Sequence, residues 1–252
     1  MRRALLAHRS SPGAPLPLPR SAARLRRAAM SAGQGPPAPI PERAHAVLAY
    51  WFGPDYATQT DPRWWTPAEQ GAARWYKGGP AVDAHITAEF KRDVEALASG
   101  ALDEWQASPW PAAAGIILAD QFTRNIYRGS ARAFELDAKA LAWARALQDS
   151  GAAAAQLPGV VRSFVNTPFM HSERLEDQQR CVDVAERELA AARALDPASP
   201  AAAAWAAQVQ FASAHRDVIA RWGRFPHRNA MLGRESTPEE EAGLADGSIG
   251  RW

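Results

Sequence analysis

The sequence is poor in cysteine, with Cys181 the single one in 252 residues. One cysteine excludes an internal disulfide framework and any zinc site built from several cysteines. The chain also lacks an apolar run near the roughly 18 residues that a membrane-spanning helix needs, so we expect a soluble body without membrane association. A P-loop, a strand-led Gly-x-Gly-x-x-Gly and a Gly-x-Ser-x-Gly elbow are absent as well, and no cofactor is indicated.

Acidic residues are missing from the first 41 positions, which contain seven arginines and no lysine. This Arg-rich, acid-poor composition is typical of an organelle transit peptide, mitochondrial or plastid, and no apolar core of a secretory signal is present. The alternative is a translation start at Met30, which would leave a cytoplasmic protein. We therefore predict a disordered leader, 1–41, followed by a single helical domain, 42–252.

The charge of the body argues against a nucleic-acid partner. Subtracting the seven leader arginines from the 29 basic residues leaves 22, against 27 acidic residues, for a net charge of −5. The sequence pI near 8.9 therefore comes mainly from the leader. A body with excess negative charge lacks the basic surface that phosphate backbones attract.

The body reads as helical, because alanine is abundant, runs of β-branched residues are scarce and apolar residues recur at helical spacing. Thr237-Pro238-Glu239-Glu240 predicts a capping box that opens a short last helix, and Ser172 is a candidate N-cap. We expect an all-α array or bundle of about eight helices in antiparallel pairs. The other predicted helices are Pro41–Trp51, Ala81–Ser99, Trp110–Tyr127, Ala131–Gln148, Leu157–Met170, Glu173–Leu195 and Ser199–Trp222.

Three polar blocks interrupt this Ala- and Leu-rich sequence. Gln121–Asn125 and Arg224–Asn229 each join a phenylalanine to an Arg-Asn pair, and His171–Gln178 lies between them. Polar side chains in a helical core are costly to bury unless each finds a partner. The blocks therefore predict either a structural hydrogen-bonding network or a ligand site, and the residues alone leave both open.

The functional interpretation assigns roles to these residues. An arginine fork suits a carboxylate or phosphate, and a histidine beside a carboxylate suits proton transfer. For Arg124, a local ion pair with Asp120 is the structural alternative. A metal centre from His171, Glu173, Asp120 and His215 or His227 is not predicted, because no local spacing supports it. The candidate proton-transfer residues are His171, Glu173 and His227; the candidate ligand-binding residues are Asp120, Gln121, Arg124, Asn125, His215, Arg224, Arg228 and Asn229.

The blocks, with the segments around them, resemble Domain of Unknown Function family 924. The resemblance extends from about residue 42 to the end of the chain, and the family has Pro where this chain has Thr123. It implies a tetratricopeptide-like helical fold and no established activity, while the chain itself has no clean 34-residue repeat. The matching segments are Val47–Gly53, Asp61–Trp65, Leu118–Gly129, Pro168–Glu173 with Asp177 and Gln178, and Gly223–Asn229 through Glu240.

Two hypotheses for function follow. The first is an enzyme or binding protein for a small anionic ligand, with the polar blocks lining one cleft. The second is a tetratricopeptide-like interaction module that binds a peptide or protein partner, with the blocks serving as internal hydrogen-bonding structure. Whether His171, Arg124 and His227 come together separates the two hypotheses. The sequence predicts neither a reaction nor an oligomeric state.

Overall fold

Helices account for all regular secondary structure in the part of the chain that the computed structural model describes, residues 39–58, 61, 63, 65, 71, 74, 75 and 78–250. The all-α prediction is confirmed, whereas the tetratricopeptide-like arrangement stays a prediction. The leader falls outside the described residues except at 39–41, so the division into 1–41 and 42–252 also stays a prediction. No helix of the described part is long and apolar enough to cross a membrane. The α-helices are α1 (Glu42–Phe52), α2 (Pro80–Ala98), α3 (Pro109–Ile117), α4 (Thr123–Ile126), α5 (Asp137–Asp149), α6 (Ala152–Gln156), α7 (Gly159–His171), α8 (Leu175–Leu195), α9 (Pro200–Trp222) and α10 (Pro238–Asp246).

Local signals place several helix ends where the sequence predicts them. The capping box of α10 is confirmed: Glu240 N donates to Thr237 Oγ1 at 3.2 Å, and Thr237 N donates to Glu240 Oε2 at 2.9 Å. Helix α9 begins behind Ser199, whose hydroxyl accepts from Ala202 N, and it ends at Gly223 with a φ of 70°. Serine and threonine satisfy free N–H groups at helix starts, and glycine adopts the left-handed conformation at helix ends.

Two predicted helices are wrong in detail. The segment Ala131–Gln148 divides into a 3₁₀ turn, Ala131–Phe134, and α5. In a continuous helix the Ala133 carbonyl would accept from the N–H of residue 137, but here it accepts from Arg124 Nη1 at 3.3 Å. A side chain from before the segment therefore occupies the carbonyl that a continuous helix would use.

Ser172 is not the N-cap of α8, which begins at Leu175 behind Arg174. Its hydroxyl accepts from Arg174 N at 3.2 Å and donates to Asp177 Oδ2 at 2.9 Å. Gln178 Nε2 contacts the carbonyls of both Met170 and Ser172 at 2.6 Å. Part of the His171–Gln178 block is thus structural, because it joins the end of α7 to the start of α8.

Helix α3 lies at the centre of the packing. From Pro111 to Ile117 each of its residues is buried, and it contacts α1, α5 and α7. Beside it, Trp51 of α1 meets Phe122 and Phe164 edge-on, with ring centroids 5.3 and 5.6 Å apart. Helices α8 and α9 form a hairpin around a separate small cluster at Trp205. In this core α7 packs against α3, and the polar block Gln121–Asn125 follows α3 along the chain.

We expect Gly115→Ala to lower the free energy of unfolding by about 1–3 kcal/mol, because the added methyl overpacks the core. A Cβ on Gly115 would lie 2.9 Å from Trp143 Cε3 and closer still to Cζ3. Gly78→Ala is the matched control, since its Cβ would meet nothing nearer than Asn125 Nδ2 at 4.0 Å. Urea denaturation checks both variants; equal midpoints for the two would contradict this account of the α3–α5 contact.

Candidate functional site

A π-helical turn places Asp120 in the interior. Between α3 and α4 the helix widens over Leu118–Phe122, and the Thr123 N–H reaches back to the Leu118 carbonyl. The Thr123 hydroxyl also donates to the Ala119 carbonyl at 2.7 Å. Such turns are rare and occur frequently at functional sites. Asp120 is fully buried at this turn.

Three polar side chains contact the Asp120 carboxylate. His171 Nδ1 lies 2.7 Å from Oδ1, while Gln121 Nε2 at 2.5 Å and Thr167 Oγ1 at 2.9 Å reach Oδ2. Burial raises the pKa of Asp120, but the charge that His171 carries when protonated, the charge of Arg124 and these hydrogen bonds outweigh burial and lower it. Asp120 is therefore ionised, and we refer to it and His171 as the Asp120–His171 dyad.

Thr167 contacts two acceptors at once. Pro168 lies within α7 and has no N–H, so the Phe164 carbonyl loses its usual helical donor. Thr167 Oγ1 lies 2.7 Å from that carbonyl and 2.9 Å from Asp120 Oδ2. One hydroxyl has one proton, so the two oxygens share it. The proline therefore links the geometry of α7 to the position of the Asp120 carboxylate.

His171 is the partly accessible member of the dyad. Its side chain is 16% exposed, and no described residue hydrogen-bonds to its Nε2. An ionised Asp120 accepts hydrogen bonds and donates none, so Nδ1 carries a proton. In the neutral imidazole, Nε2 then holds the lone pair. His171 Nε2 can therefore accept a proton, while the buried Asp120 carboxylate orients the ring through Nδ1.

Two further histidines lie near this imidazole. The rings of His171 and His215 have centroids 6.4 Å apart. Phe225 meets His215 edge-on, with ring centroids 5.8 Å apart, and lies tilted against His227 at 5.5 Å. Burial, with the nearby His171, lowers the pKa of His215 to about 3. Burial, with the charge of Arg228, lowers the pKa of His227 to about 4. Both are therefore neutral near pH 7.

Arg228 brings a buried positive charge next to the dyad. Its side chain is 9% exposed, and its guanidinium stacks on Phe225 at 4.3 Å and on Phe134 at 5.0 Å. Nη1 donates to the His171 carbonyl at 3.0 Å, and Nε has no hydrogen-bond partner among the described residues. Burial lowers the pKa of Arg228 to about 10. The nearest ion-pair contact is Asp137 Oδ2, at 3.8 Å.

Arg124 is held by that same aspartate. Its Nη1 and Nη2 bind Asp137 Oδ1 and Oδ2 at 2.9 and 3.0 Å, in a two-bond pair. The local ion pair with Asp120, the structural alternative considered for Arg124, is therefore not the pairing that forms. Asp137 is not among the sequence candidates, because it reads as an ordinary position inside the predicted helix Ala131–Gln148.

Glu173 fastens the segment after α9 over the site. It accepts from Arg234 at 2.6 and 2.9 Å and from Phe225 N at 2.8 Å. Burial raises the pKa of Glu173, but these bonds outweigh burial and lower it. Arg234 and Phe225 are contacts that the sequence candidates omit, although both lie in the last matching segment, Gly223–Glu240. The segment Phe225–Arg234, which we call the strap, positions His227 and Arg228.

The remaining candidates lie in other contacts. Asn125 donates to Asp83 Oδ1 at 2.8 Å, on α2. Arg224 pairs with both oxygens of Glu240 at 2.7 Å, and Asn229 donates to Glu240 Oε2 at 3.1 Å. These three residues fasten α4 and α10 to their neighbours. Asp120, Gln121, Arg124, His171, Glu173, His215, His227 and Arg228 come together around the dyad.

Two concavities of the described surface lie away from this cluster. One of about 530 Å³ is lined by Asp103, Pro109, Ala146 and neighbours, and one of about 170 Å³ lies beside α6 and α8. We place the candidate site at the dyad on chemistry rather than on cavity size, because neither concavity contains a buried charge. Within the described residues no group of three or more His, Cys, Asp or Glu side chains is arranged to hold a metal ion.

Comparison with known proteins extends the match over most of the chain. Curated proteins give no match. A solved structure, of the protein of unknown function ATU0120 from Agrobacterium tumefaciens, is 29% identical in sequence, with a TM-score of 0.64 over 81% of this chain and 97% of that chain. Residues 47–248 match the family described as "Bacterial protein of unknown function (DUF924)". Because that match covers well over half of the sequence, the chain belongs to the DUF924 family.

Proposed function

We propose that the protein binds a small anionic ligand beside the Asp120–His171 dyad and that His171 transfers a proton to or from it. The observation that carries this proposal is the dyad itself: a fully buried carboxylate lies 2.7 Å from Nδ1 of an imidazole whose Nε2 has no partner in the described structure.

His171 is the proposed proton-transfer residue. Asp120 holds the ring in the tautomer that leaves Nε2 basic and stabilises the imidazolium formed when Nε2 takes a proton. Gln121 and Thr167 support this role, because their bonds to Oδ2 fix the carboxylate. Glu173, which the sequence suggests for proton transfer, is better suited to positioning, since Arg234 occupies both of its oxygens.

Arg228 is the proposed contact for the ligand's anionic group. Arg124 has Asp137 as a two-bond partner and Arg234 has Glu173, so both charges are compensated. Arg228 shares Asp137 at 3.8 Å and has no carboxylate of its own in the described structure. A buried charge is costly unless it is paired, and a carboxylate or phosphate would supply the missing partner. This assigns anion binding to Arg228 in place of Arg124.

His215 and His227 complete the proposed surroundings. With pKa values lowered to about 3 and 4, both rings are neutral near pH 7 and add no positive charge. A neutral imidazole can donate to or accept from a ligand hydroxyl or carbonyl. The interaction-module hypothesis assigns no task to a buried arginine that only shares a carboxylate and lies next to an oriented histidine, so the ligand hypothesis is the better supported.

A paired binding and exchange experiment tests the proposal. Small carboxylates and phosphate esters are screened by thermal shift on the full chain, and ligands that stabilise it are incubated with it in D₂O and followed by proton NMR. We expect His171→Gln to retain most of the thermal shift and to lose deuterium incorporation into the ligand, because the variant binds without transferring protons.

Two comparisons make this experiment decisive. Arg228→Lys keeps the charge but loses the planar fork, so we expect the shift to fall strongly. His85→Gln is the matched control and should behave as the unmodified chain, because His85 is at an exposed position of α2, where its ring stacks on Tyr50. Exchange that persists in His171→Gln, or ligands that stabilise Arg228→Lys as well as the parent, would refute the proposal. If no carboxylate or phosphate ester stabilises the chain in the thermal-shift screen, the interaction-module hypothesis would be favoured.

A further inference from the structure

The concavity beside α6 and α8 is lined by charged side chains of α7 and α8. It measures about 170 Å³ and is bordered by the end of α5, by α6, by α7 and by one face of α8. Arg180, Val184, Arg187 and Glu188 are spaced at four, seven and eight residues along α8, and so share a face. The alanines of α6 leave the space open, and the concavity shares no lining residue with the dyad.

Its floor is apolar and its walls carry arginines. Ala153 and Val165 are buried at the base, next to Val184. Three of the lining side chains, Arg162, Arg180 and Arg187, are cationic, against the single anion Glu188. An apolar floor with a few placed polar groups is typical of a small-molecule site.

The three arginines differ in how much of their hydrogen-bonding capacity is occupied. Arg162 binds both oxygens of Glu188, at 2.8 and 2.6 Å, and gives Nη1 to the Leu157 carbonyl at 2.6 Å. Each of its three nitrogens therefore makes a hydrogen bond, and Glu188 neutralises its charge.

Arg180 is held in place but retains an open edge. Nε donates to Gln148 Oε1 at 2.9 Å, Nη2 binds Asp149 Oδ1 at 2.5 Å, and the guanidinium stacks on Phe169 at 4.8 Å. Gln148 is itself fixed, because its Nε2 donates to the buried Asn166 at 3.1 Å. The side chain is 28% exposed, and Nη1 has no hydrogen-bond partner among the described residues.

Arg187 leaves the concavity with a net positive charge. No described residue forms a hydrogen bond or ion pair with its guanidinium, while Glu188 and Asp149 already neutralise the other two arginines. The ordered guanidinium of Arg180 and the guanidinium of Arg187 therefore lie on the same face of α8, two turns apart. An oxyanion could bind both, because guanidinium groups match carboxylate and phosphate oxygens with paired hydrogen bonds.

We propose that this α6–α8 concavity binds a small oxyanion, a carboxylate or a phosphate, whose short apolar part rests on Ala153, Val165 and Val184. The anionic group binds Arg187 and the open edge of Arg180. A volume of about 170 Å³ is several times that of a water molecule, which suits a small metabolite. This site is independent of the proposed function at the dyad.

The experiment uses the full chain, labelled with ¹⁵N, titrated separately with acetate, succinate and inorganic phosphate at constant ionic strength. We expect saturable shifts of the Ala153, Ala154 and Val184 amides with at least one of the three probes. Succinate or acetate binding identifies a carboxylate site, and phosphate binding identifies a phosphate site. Shifts that rise linearly without saturating, for all three probes, would overturn the proposal.

Variants on α8 make the result specific. Arg187→Ala should weaken the saturable binding by at least about tenfold, since it removes a charge-assisted contact. Arg193→Ala is the matched control, because it removes an exposed arginine of the same helix outside the concavity. Equal binding by these two variants would also overturn the proposal. His171→Gln should leave this titration unchanged, so failure here and failure at the dyad are distinguishable.

Discussion

Replacing Asp120 with asparagine is expected to lower the free energy of unfolding by about 3 kcal/mol. The carboxylate is fully buried and accepts from His171, Gln121 and Thr167, and it faces the charge of Arg124. Asparagine keeps the shape but removes the charge, which leaves the partners of a buried ion without compensation. Breaking a buried pair from one side costs about 3–5 kcal/mol, and the near-isosteric change favours the lower end.

Urea denaturation near pH 7 measures this loss, with Asp83→Asn as the matched control. Asp83 also binds an arginine and an asparagine, Arg128 and Asn125, but Arg128 is 60% exposed. Solvent-exposed pairs contribute about 1 kcal/mol or less. Equal losses for the two variants would contradict the view that Asp120 owes its importance to a buried network.

The stability loss caused by Asp120→Asn is also expected to depend on pH. Asp120 has a lowered pKa in the folded protein, so it contributes stability above its unfolded pKa of roughly 3.9, and this contribution is lost as the pH falls below that value. The stability gap between the parent chain and Asp120→Asn should therefore be full at neutral pH and shrink in acid. A gap that widens as the pH falls would have the wrong sign for an ionised Asp120.

The fold class could be predicted from the sequence because it depends on the spacing of apolar residues and on helix-capping signals. Apolar spacing and capping signals act over a few residues, and the capping box at Thr237 forms as predicted. The π turn at Leu118–Phe122 was not accessible, because Asp120 and Phe122 read as members of an ordinary helix. Burial of Asp120 against α7 accompanies the widened turn, and that contact joins residues 51 positions apart.

The candidate site was partly accessible for a different reason. Clustered polar residues in an apolar context indicate buried partners, and that argument correctly drew attention to His171 and Asp120. It could not say which carboxylate pairs with which arginine. Arg124 binds Asp137, and Arg228 shares that aspartate, so pairing depends on how α5 and the strap approach each other. The amino-acid composition of the blocks does not predict how α5 and the strap approach each other.

Asn125 and Asn229 illustrate the limit of motif similarity. The Arg-Asn pair at Arg124-Asn125 echoes the pair at Arg228-Asn229, yet the two asparagines bind different partners, Asp83 and Glu240. In both blocks the arginine reaches toward Asp137 while the asparagine fastens the block to a neighbouring helix. The repeated pair therefore combines a residue of the candidate site with one that anchors it, and the two pairs converge on one aspartate.

Replacing His215 with phenylalanine is expected to flatten the dependence of stability on pH. His215 is buried near His171, His227 and Arg228, and its pKa falls from 6.5 to about 3 on folding. Its neutral form therefore stabilises the fold fully above pH 6.5, and the contribution is lost as the pH falls, because the unfolded chain binds the proton first. At about 1.4 kcal/mol per pH unit, the loss reaches roughly 2 kcal/mol at pH 5.

Phenylalanine retains the ring that packs on Phe225 but cannot titrate, and it gives up the bond from Nδ1 to the Phe211 carbonyl at every pH. Urea midpoints at pH 7.5 and pH 5 should therefore differ less in His215→Phe than in the parent chain, by roughly 2 kcal/mol of unfolding free energy. The exposed His85 provides the control, His85→Phe, which should keep the parent slope. Parallel slopes in all three proteins would mean that His215 is not held neutral by its surroundings, and the proposed neutral environment of the dyad would fail with it.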